Sequence, residues 1–490
     1  MRGQLSIEAR QRSVITRLKN ANKRLRQGSQ RRIKSLEEEN TAKDKIIETL
    51  LVRVAELEEK IFGSKKDKAD KNDDSSDIGL NSLKKDKKSR DPSSFRRSAP
   101  QDYEITKEET FKIDTCPDCG SLLIKGYFII RYIEDILLPY LDEKQNKIIS
   151  PSKTVIKQMI EKGWCPKCRC WHTAKLPAHS PPVKNNEVLL GKNVKEYISY
   201  KTYMGNGTYQ KIKDELFDLY NISLSDGEIT QILDQTALKL APEKERIKRE
   251  IQEEKVKHID ETSGQRGGDK NYTWAMASAK TEKVVFEVGK NRGKGNAEEL
   301  LGDNDDAVRV TDFYVSYKNI KGHQQPCWIH FIRKPKELAE NANLSKNKRK
   351  FAAGIYNDLL PFYNRIRAIT QTEFVLEHRM KLLPKLKKKL NKIISRIERK
   401  KNNPKKMDDF AKLAREYYDQ LFTCIIYPDV PPDNNKAERK IRPLVIKRKL
   451  SFGTKSEKGD NTFSANATVL FSLWWQDRAN FWPKFRELIA

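Results

Sequence analysis

Two cysteine motifs and three scattered carboxylates are the residues whose types and spacing could do chemistry. Cys116-Pro-Asp-Cys119-Gly and Cys165-Pro-Lys-Cys168 are separated by 45 residues. Each pair sits on a turn-like stretch, and two such knuckles can present four thiolates tetrahedrally to Zn²⁺. Cys170 and His172 follow closely enough to stand in as ligands, so the fourth ligand stays open. Asp260 ends the apolar run VKHI and Asp312 ends AVRVT. A carboxylate at the end of a buried strand is costly to desolvate unless it meets a cation or a partner. One such Asp would serve as a cap or turn residue, whereas two at matching places point to a metal pair. The third acid, Glu438, stands alone among seven basic residues between Lys436 and Lys449. Asn434 or Asn435 suits a helix N-cap, so Glu438 projects from the first or second turn. It is either an ion-pair partner of Arg439 or Arg442 or a ligand for a hard cation that also meets phosphate.

Those acids need elements to hold them. VKHIDET reads as a buried strand, and NYTWAMASA and KVVFEVGK follow as two more. A short helical stretch, NAEELLG, precedes the strand-like AVRVTDFYVSY. Strands in series, then a strand after a helix, imply a mixed sheet with helices against it. Upstream, YQKIKDELFDLY, the turn Asn221–Ser225 and DGEITQILDQTALKL read as helix, turn and Ser-capped helix, a helix-turn-helix outline. Residues 334–425 read as helical, with the stripe Leu386, Leu390, Ile393, Ile394 and Ile397 bounded by Pro384 and Pro404. Between the cysteine pairs the sequence is mostly strand-like. Cys327 and His330 share a CxxH spacing without a matching second pair, which favours packing or phosphate contact over a second zinc site. Trp274, Trp474 and Trp475 read as core, and Trp328 is near enough to the acids to stack on a base.

The 490 residues carry 97 Lys and Arg against 68 Asp and Glu, a net charge of +29. That balance calls for a polyanionic partner, nucleic acid first. No apolar run approaches the ~20 residues that span a bilayer, and the basic amino terminus lacks the apolar stretch of a secretion signal. Seven cysteines, four of them in CxxC pairs, suit a metal site in a reducing cytosol rather than a disulfide scaffold. Residues 1–32 form a basic arm. Ile33, Leu36, Asn40, Lys43, Ile47, Leu50, Val54, Leu57 and Ile61 then alternate in steps of three and four. This is a leucine-zipper coiled coil over 33–62, and Asn40 at an a position favours two strands, hence a homodimer. Residues 63–100 are charged and poor in large apolar side chains, as a flexible linker is. The fold class expected is multidomain α+β. After the coiled coil come a zinc ribbon (101–180), a helical helix-turn-helix-like region (181–250), a mixed-sheet region from 251 to 333, a helical stretch (334–425) and a final segment (426–490).

Taken together, the ordered motifs resemble the DDE transposases, specifically the insertion-sequence-66 family. The resemblance is carried by Ile61-Phe-Gly63-Ser-Lys, the paired knuckles, His258-Ile-Asp260-Glu-Thr262 and Val310-Thr-Asp312-Phe-Tyr-Val-Ser-Tyr317. Cys327-Trp-Ile-His330-Phe-Ile-Arg333, Asn434-Asn-Lys-Ala-Glu438-Arg, Arg442-Pro and Lys449-Leu-Ser-Phe-Gly453 complete it. Order and spacing match over roughly residues 33–485. The Gly/His-rich segment usual between zipper and knuckles is replaced by the charged linker, and the chain ends soon after Trp482-Pro483 without the usual short tail. The resemblance implies an RNase H-like α/β catalytic domain (251–333 and 426–490) interrupted by a helical insertion (334–425), with Asp260, Asp312 and Glu438 as the catalytic triad. Glu261, pointing the other way on its strand, is the weaker candidate. Three carboxylates can hold two Mg²⁺ (or Mn²⁺) ions around a scissile phosphate. Arg439, Arg442, Lys447 and Lys449 would grip flanking phosphates of transposon-end and target DNA. Accessory proteins of the same element are possible partners, and the cytoplasm, at the nucleoid, is the expected compartment. Two other readings fit parts of the pattern: a non-catalytic DNA-binding regulator, and an RNase H-like nuclease without strand transfer.

Overall fold

The computed structural model describes residues 97–490, apart from 138–139, 143–146, 150, 178–179 and 452. The basic arm, the coiled coil and all of the linker up to residue 96 lie outside the described residues. The described part is a mixed α+β structure.

The cysteine-bearing region is built on two long strands, β2 (Ile124–Leu137) and β5 (Ser152–Cys165), paired antiparallel from Ile124↔Trp164 to Leu137↔Ser152. Their β-branched and aromatic content suits a pleated, half-buried surface. β1 (Lys107–Phe111) adds parallel to β5, and β6 (Cys170–Thr173) adds antiparallel to its far end. The short β3 (Tyr140–Asp142) and β4 (Lys147–Ile149) pair with each other, and β7 (Glu187–Leu190) joins β2 in parallel.

Three helices follow: α1 (Lys192–Tyr203), α2 (Tyr209–Tyr220) and α3 (Asp226–Gln252). Asn221 ends α2 in the left-handed conformation, and Ser225 and Glu228 close a reciprocal capping box at the start of α3. Ile212, Leu216, Ile229, Leu233, Leu240 and Ile251 are buried in the same apolar cluster as Ile259, Trp274 and Phe286 of the next sheet. The helix-turn-helix outline is thus built into the central core.

That sheet has the order β10-β9-β8-β11-β12. β8 (Val256–Arg266), β9 (Asp269–Ser278) and β10 (Val284–Gly289) form an antiparallel meander, while β11 (Val308–Thr311) and β12 (His323–Pro326) run parallel to β8. Gly267 and Gly268 join β8 to β9 with φ of 60° and 100°. A two-residue hairpin loop of this twist demands that pair of positive φ values, which glycine adopts without strain. The crossover to β11 carries α4 (Lys294–Leu301).

Edge strand β10 is sealed by a helix. Ser472 and Thr468 of α11 (Glu457–Gln476) accept the Val284 and Phe286 amides at 3.0 Å each. An open row of strand amides would otherwise invite pairing with another chain.

After β12 the chain forms α5 (Trp328–Glu340), α6 (Lys346–Thr370), α7 (Leu376–Glu398), α8 (Lys405–Glu416) and α9 (Thr423–Ile426) around a second apolar cluster. The stripe Leu386, Leu390, Ile393, Ile394 and Ile397 is buried there. Pro384 does not bound its helix, contrary to the sequence reading: α7 starts at Leu376 and runs through it. Buried Leu383 and the Arg379 guanidinium, which donates to the carbonyls of Ile369, Thr372 and Cys424, hold the extra turns. The chain then returns as α10 (Asn435–Ser451), α11 and α12 (Phe481–Leu488).

Candidate active site and thiolate cluster

Asp312 follows β11 directly, as expected, but Asp260 lies in the middle of β8 and not at a strand end, because the strand continues through DETSGQR in its antiparallel pairing with β9. The parallel register pairs Val308 with Val256 and Val310 with His258. The pairing stops there, two residues short of each aspartate, at a point where neighbouring strands stand about 4.8 Å apart. The pairing directs the two aspartates, 52 residues apart in the chain, towards the same ground, and the charge of Asp312 bears on the Asp260 carboxyl.

Glu438 arrives on α10, in its first turn. The loop before it is held by the fully buried Asn434, whose backbone N–H donates to Cys327 Sγ at 3.2 Å. The Asn434 amide donates to the Ile259 carbonyl at 2.8 Å, and its Oδ1 is 2.9 Å from His258 Nδ1. Burial holds the His258 imidazole down at about 4, so it is neutral at ordinary pH and its Nδ1–H can serve Asn434. The N-terminus of α10 is in this way pinned to the strand that carries Asp260.

Burial, with the charges of Glu261, Asp312 and Glu438 after it, pushes the Asp260 carboxyl up to about 8. Carboxylates crowded without a counter-ion disfavour one another's ionised form, and a bound cation reverses that penalty. Glu438 Oε1 is also buried without a hydrogen-bond partner. The three carboxylates offer oxygen donors only, as a hard divalent cation prefers, while Glu438 Oε1 itself faces His330 Nδ1 at 3.5 Å.

An open cleft of about 530 Å³ exposes this ground, lined among others by Asp260, Glu261, His330, Glu438, Arg439 and Arg442. Asp312 is not among the lining side chains; its Oδ1 accepts the Tyr314 N–H at 2.8 Å. Glu261 is buried and bound by the Arg292 guanidinium and the Tyr317 hydroxyl. The Arg292 guanidinium carbon also stands over the Tyr314 ring, 3.4 Å from its centroid. Sequence reasoning passed over Arg292, Asn434's double contact and His258. The polar-turn stretch KNRGKG and a histidine two residues before Asp260 were the available signals.

Arg439, Arg442 and Lys449 are exposed. Lys447 is not, which corrects its expected role on phosphate. It is buried against Tyr203, its ammonium donates to the Thr202 carbonyl at 2.6 Å, and burial lowers it to about 8. Trp328 is corrected too: it is fully buried among Phe331, Phe362 and Phe422, and its indole N–H donates to the Leu421 carbonyl. No base can stack on it.

In the cysteine-bearing region, the Sγ atoms of Cys116, Cys119, Cys165 and Cys168 lie within 4.8 Å of one another. Cys116 to Cys168 is 3.8 Å and Cys119 to Cys165 is 3.6 Å. A tetrahedron with metal–sulfur bonds of ~2.3 Å has edges of about 3.8 Å. Gly120 and Arg169, both at positive φ, turn the chain back after each pair, and the Cys168 N–H donates to Cys165 Sγ. Hydrogen bonding around Ser121 holds the Cys119 thiol down at about 6, while Cys119 and burial push Cys168 up. His172 Nε2 is 3.3 Å from Cys116 Sγ and 3.1 Å from Cys170 Sγ, so both alternative ligands border the cluster.

Among families of known proteins, the model described as "Transposase IS66 family" matches residues 188–462. That span begins in β7 and ends in α11, and it contains Asp260, Asp312 and Glu438. No curated protein matches the chain. Among the described residues, no helix is long and apolar enough to cross a membrane.

Proposed function

The chain belongs to the IS66 transposase family, and from that premise we propose a DDE-type DNA transposase that cuts transposon ends and joins the freed 3′-hydroxyl to target DNA. The observation that carries the reading is the strand register that runs from Val308↔Val256 towards Asp312 and Asp260, with Glu438 near enough to bear on the Asp260 carboxyl.

In this reading the sheet order β10-β9-β8-β11-β12, with only the middle strand of the meander reversed, is that of an RNase H-like domain made from 251–333 and 426–490. Residues 334–425 are its helical insertion. Asp260, Asp312 and Glu438 hold two Mg²⁺ or Mn²⁺ ions. When bound, such ions lower the pKa of the attacking water or 3′-hydroxyl and stabilise the leaving oxygen. The protein's own part is placement. His258 and Asn434 fix Glu438 against β8, Arg292 and Tyr317 keep Glu261 occupied, and Arg439, Arg442 and Lys449 neutralise phosphates beside the cleft. No covalent protein–DNA intermediate is needed.

Cys116, Cys119, Cys165 and Cys168 hold one structural Zn²⁺ in a ribbon over 101–180, and the metal supplies folding energy that so small a sheet lacks. The coiled coil of 33–62 pairs two copies, and the helices of 181–250 lie beside the catalytic sheet as a DNA-facing region. Proteins of the same element are candidate accessories.

A labelled DNA end from beside the gene tests the proposal. Incubated with the protein and Mg²⁺, it should yield a nicked 3′ end and then a product joined to a second duplex. Nicking without joining would instead support a nuclease, and binding without nicking a regulator.

A further inference from the structure

The CxxH motif is not absorbed by the triad, yet it meets the triad in space. Cys327 is the N-cap of α5 and His330 lies in that helix's first turn. His330 Nδ1 stands 3.5 Å from Glu438 Oε1. Both atoms are buried, and among the described residues neither has a hydrogen-bond partner. Two buried polar atoms left facing one another call for an explanation, because each unpaired group forfeits its hydration.

The backbone around them is fixed. The Trp328 N–H donates to the Pro432 carbonyl at 2.9 Å, and the Asn434 N–H donates to Cys327 Sγ at 3.2 Å. These two bonds clamp the start of α5 against the loop that leads into α10. The segments that carry His330 and Glu438 are consequently held against one another. A thiophilic cation shared by Cys327, His330 and Glu438 is the competing explanation, since their ligand atoms lie within 4.8 Å of one another. Against it, Cys327 is fully buried and its sulfur already accepts the Asn434 amide.

We propose that His330 is a positioning residue for Glu438: its Nδ1–H donates to Oε1 and leaves the other carboxylate oxygen oriented towards the divalent cations. The proposal rests on the reading of Glu438 as a metal ligand. Partners of metal-binding carboxylates fix their orientation, and losing one costs 10–100-fold in metal affinity in comparable sites.

Titration of the full-length chain with Mn²⁺, followed by the loss of free-ion signal in electron paramagnetic resonance, reads this without any reaction. Mn²⁺ is a hard ion that leaves a thiolate cluster alone. H330A should weaken Mn²⁺ binding about 10–100-fold, and H330Q, which retains an N–H donor, should recover much of it. Thermal unfolding and binding to the DNA end should stay at the parental level in both. The same variants should raise the Mg²⁺ concentration needed for half-maximal cleavage in the same order. Parental Mn²⁺ affinity in H330A, with affinity lost in E438Q, overturns the role of His330 alone. Parental affinity in E438Q overturns the ligand reading of Glu438, and the proposal with it. A second equivalent of tightly bound Zn²⁺ beside that of the thiolate cluster, lost in both C327S and H330A, would favour the shared thiophilic site and likewise overturn the proposal.

Discussion

His258 Nδ1 and Asn434 Oδ1 stand 2.9 Å apart, although 176 residues separate them in the chain. The same Asn434 side chain donates to the Ile259 carbonyl, so one amide joins the start of α10 to β8 at two points. Removing it leaves a buried imidazole N–H and a buried carbonyl without partners, each costing about 1–3 kcal/mol. Asn434→Ala should therefore lower the unfolding free energy by roughly 2–4 kcal/mol in chemical denaturation, and cut DNA cleavage even at temperatures where the protein stays folded. A stability change within about 0.5 kcal/mol of zero, the usual range for a surface site, would show that this joint carries nothing.

Lys447 gives a pH signature. Its folded value, about 8, lies below the ordinary lysine value of 10.5. Below about 8 both the folded and the unfolded chain hold the proton, and the cost of burying the charge is constant. Between about 8 and 10.5 only the unfolded chain holds it, so this residue makes stability rise with pH across that window. The total is on the order of 3 kcal/mol. Relative to the parent, Lys447→Met should be more stable at pH 7.5, with the difference shrinking towards pH 10. Urea denaturation at several pH values checks it, and an unchanged difference would contradict the burial of a cationic Lys447.

The same lysine separates surface charge from buried charge in DNA binding. Arg439→Ala and Arg442→Ala should each reduce the slope of log affinity against log salt by about one. Lys447→Met should leave that slope at the parental value. A loss of one unit in Lys447→Met would put its ammonium back on phosphate.

For the thiolate cluster, elemental analysis should find one zinc per chain. Cys168→Ser should lose it, while Cys170→Ser and His172→Ala should keep it. Zinc retained in Cys168→Ser but lost in His172→Ala would move the fourth ligand to His172. Removing the metal with a strong chelator should lower the thermal midpoint of the protein, because the binding energy of a structural zinc is folding energy.

Much of this was legible in the sequence because it is local. Asp312 at the end of its strand, the Ser225 cap and the stripe from Leu386 to Ile397 each follow from periodicity or a single cap, and the structure has those elements; Asp260, which also reads as a strand end, lies mid-strand because β8 continues to Arg266 in its hairpin with β9. What stayed hidden depends on tertiary contact. Lys447 reads as one more cation in a basic run, yet its helix turns it under Tyr203. Trp328 reads as an aromatic close to the acids, yet it is enclosed by Phe331 of its own helix and by Phe362 and Phe422 from distant segments. Pro384 reads as a helix boundary because proline lacks the N–H, but Arg379 and Leu383 on the turns before it supply enough packing to carry α7 through. Asn434 was recognised as a cap candidate; its hold on His258 could not be seen without the fold.

The most direct test of the account is cleavage of a labelled transposon end in Mg²⁺ by Asp260→Asn, Asp312→Asn and Glu438→Gln, with end binding measured alongside. Each variant should bind the end as the parent does and lose cleavage by more than the roughly 10–100-fold that an outer-shell change costs. Parental cleavage by any one of them would remove that acid from the site and break the claim that the three work on one phosphate.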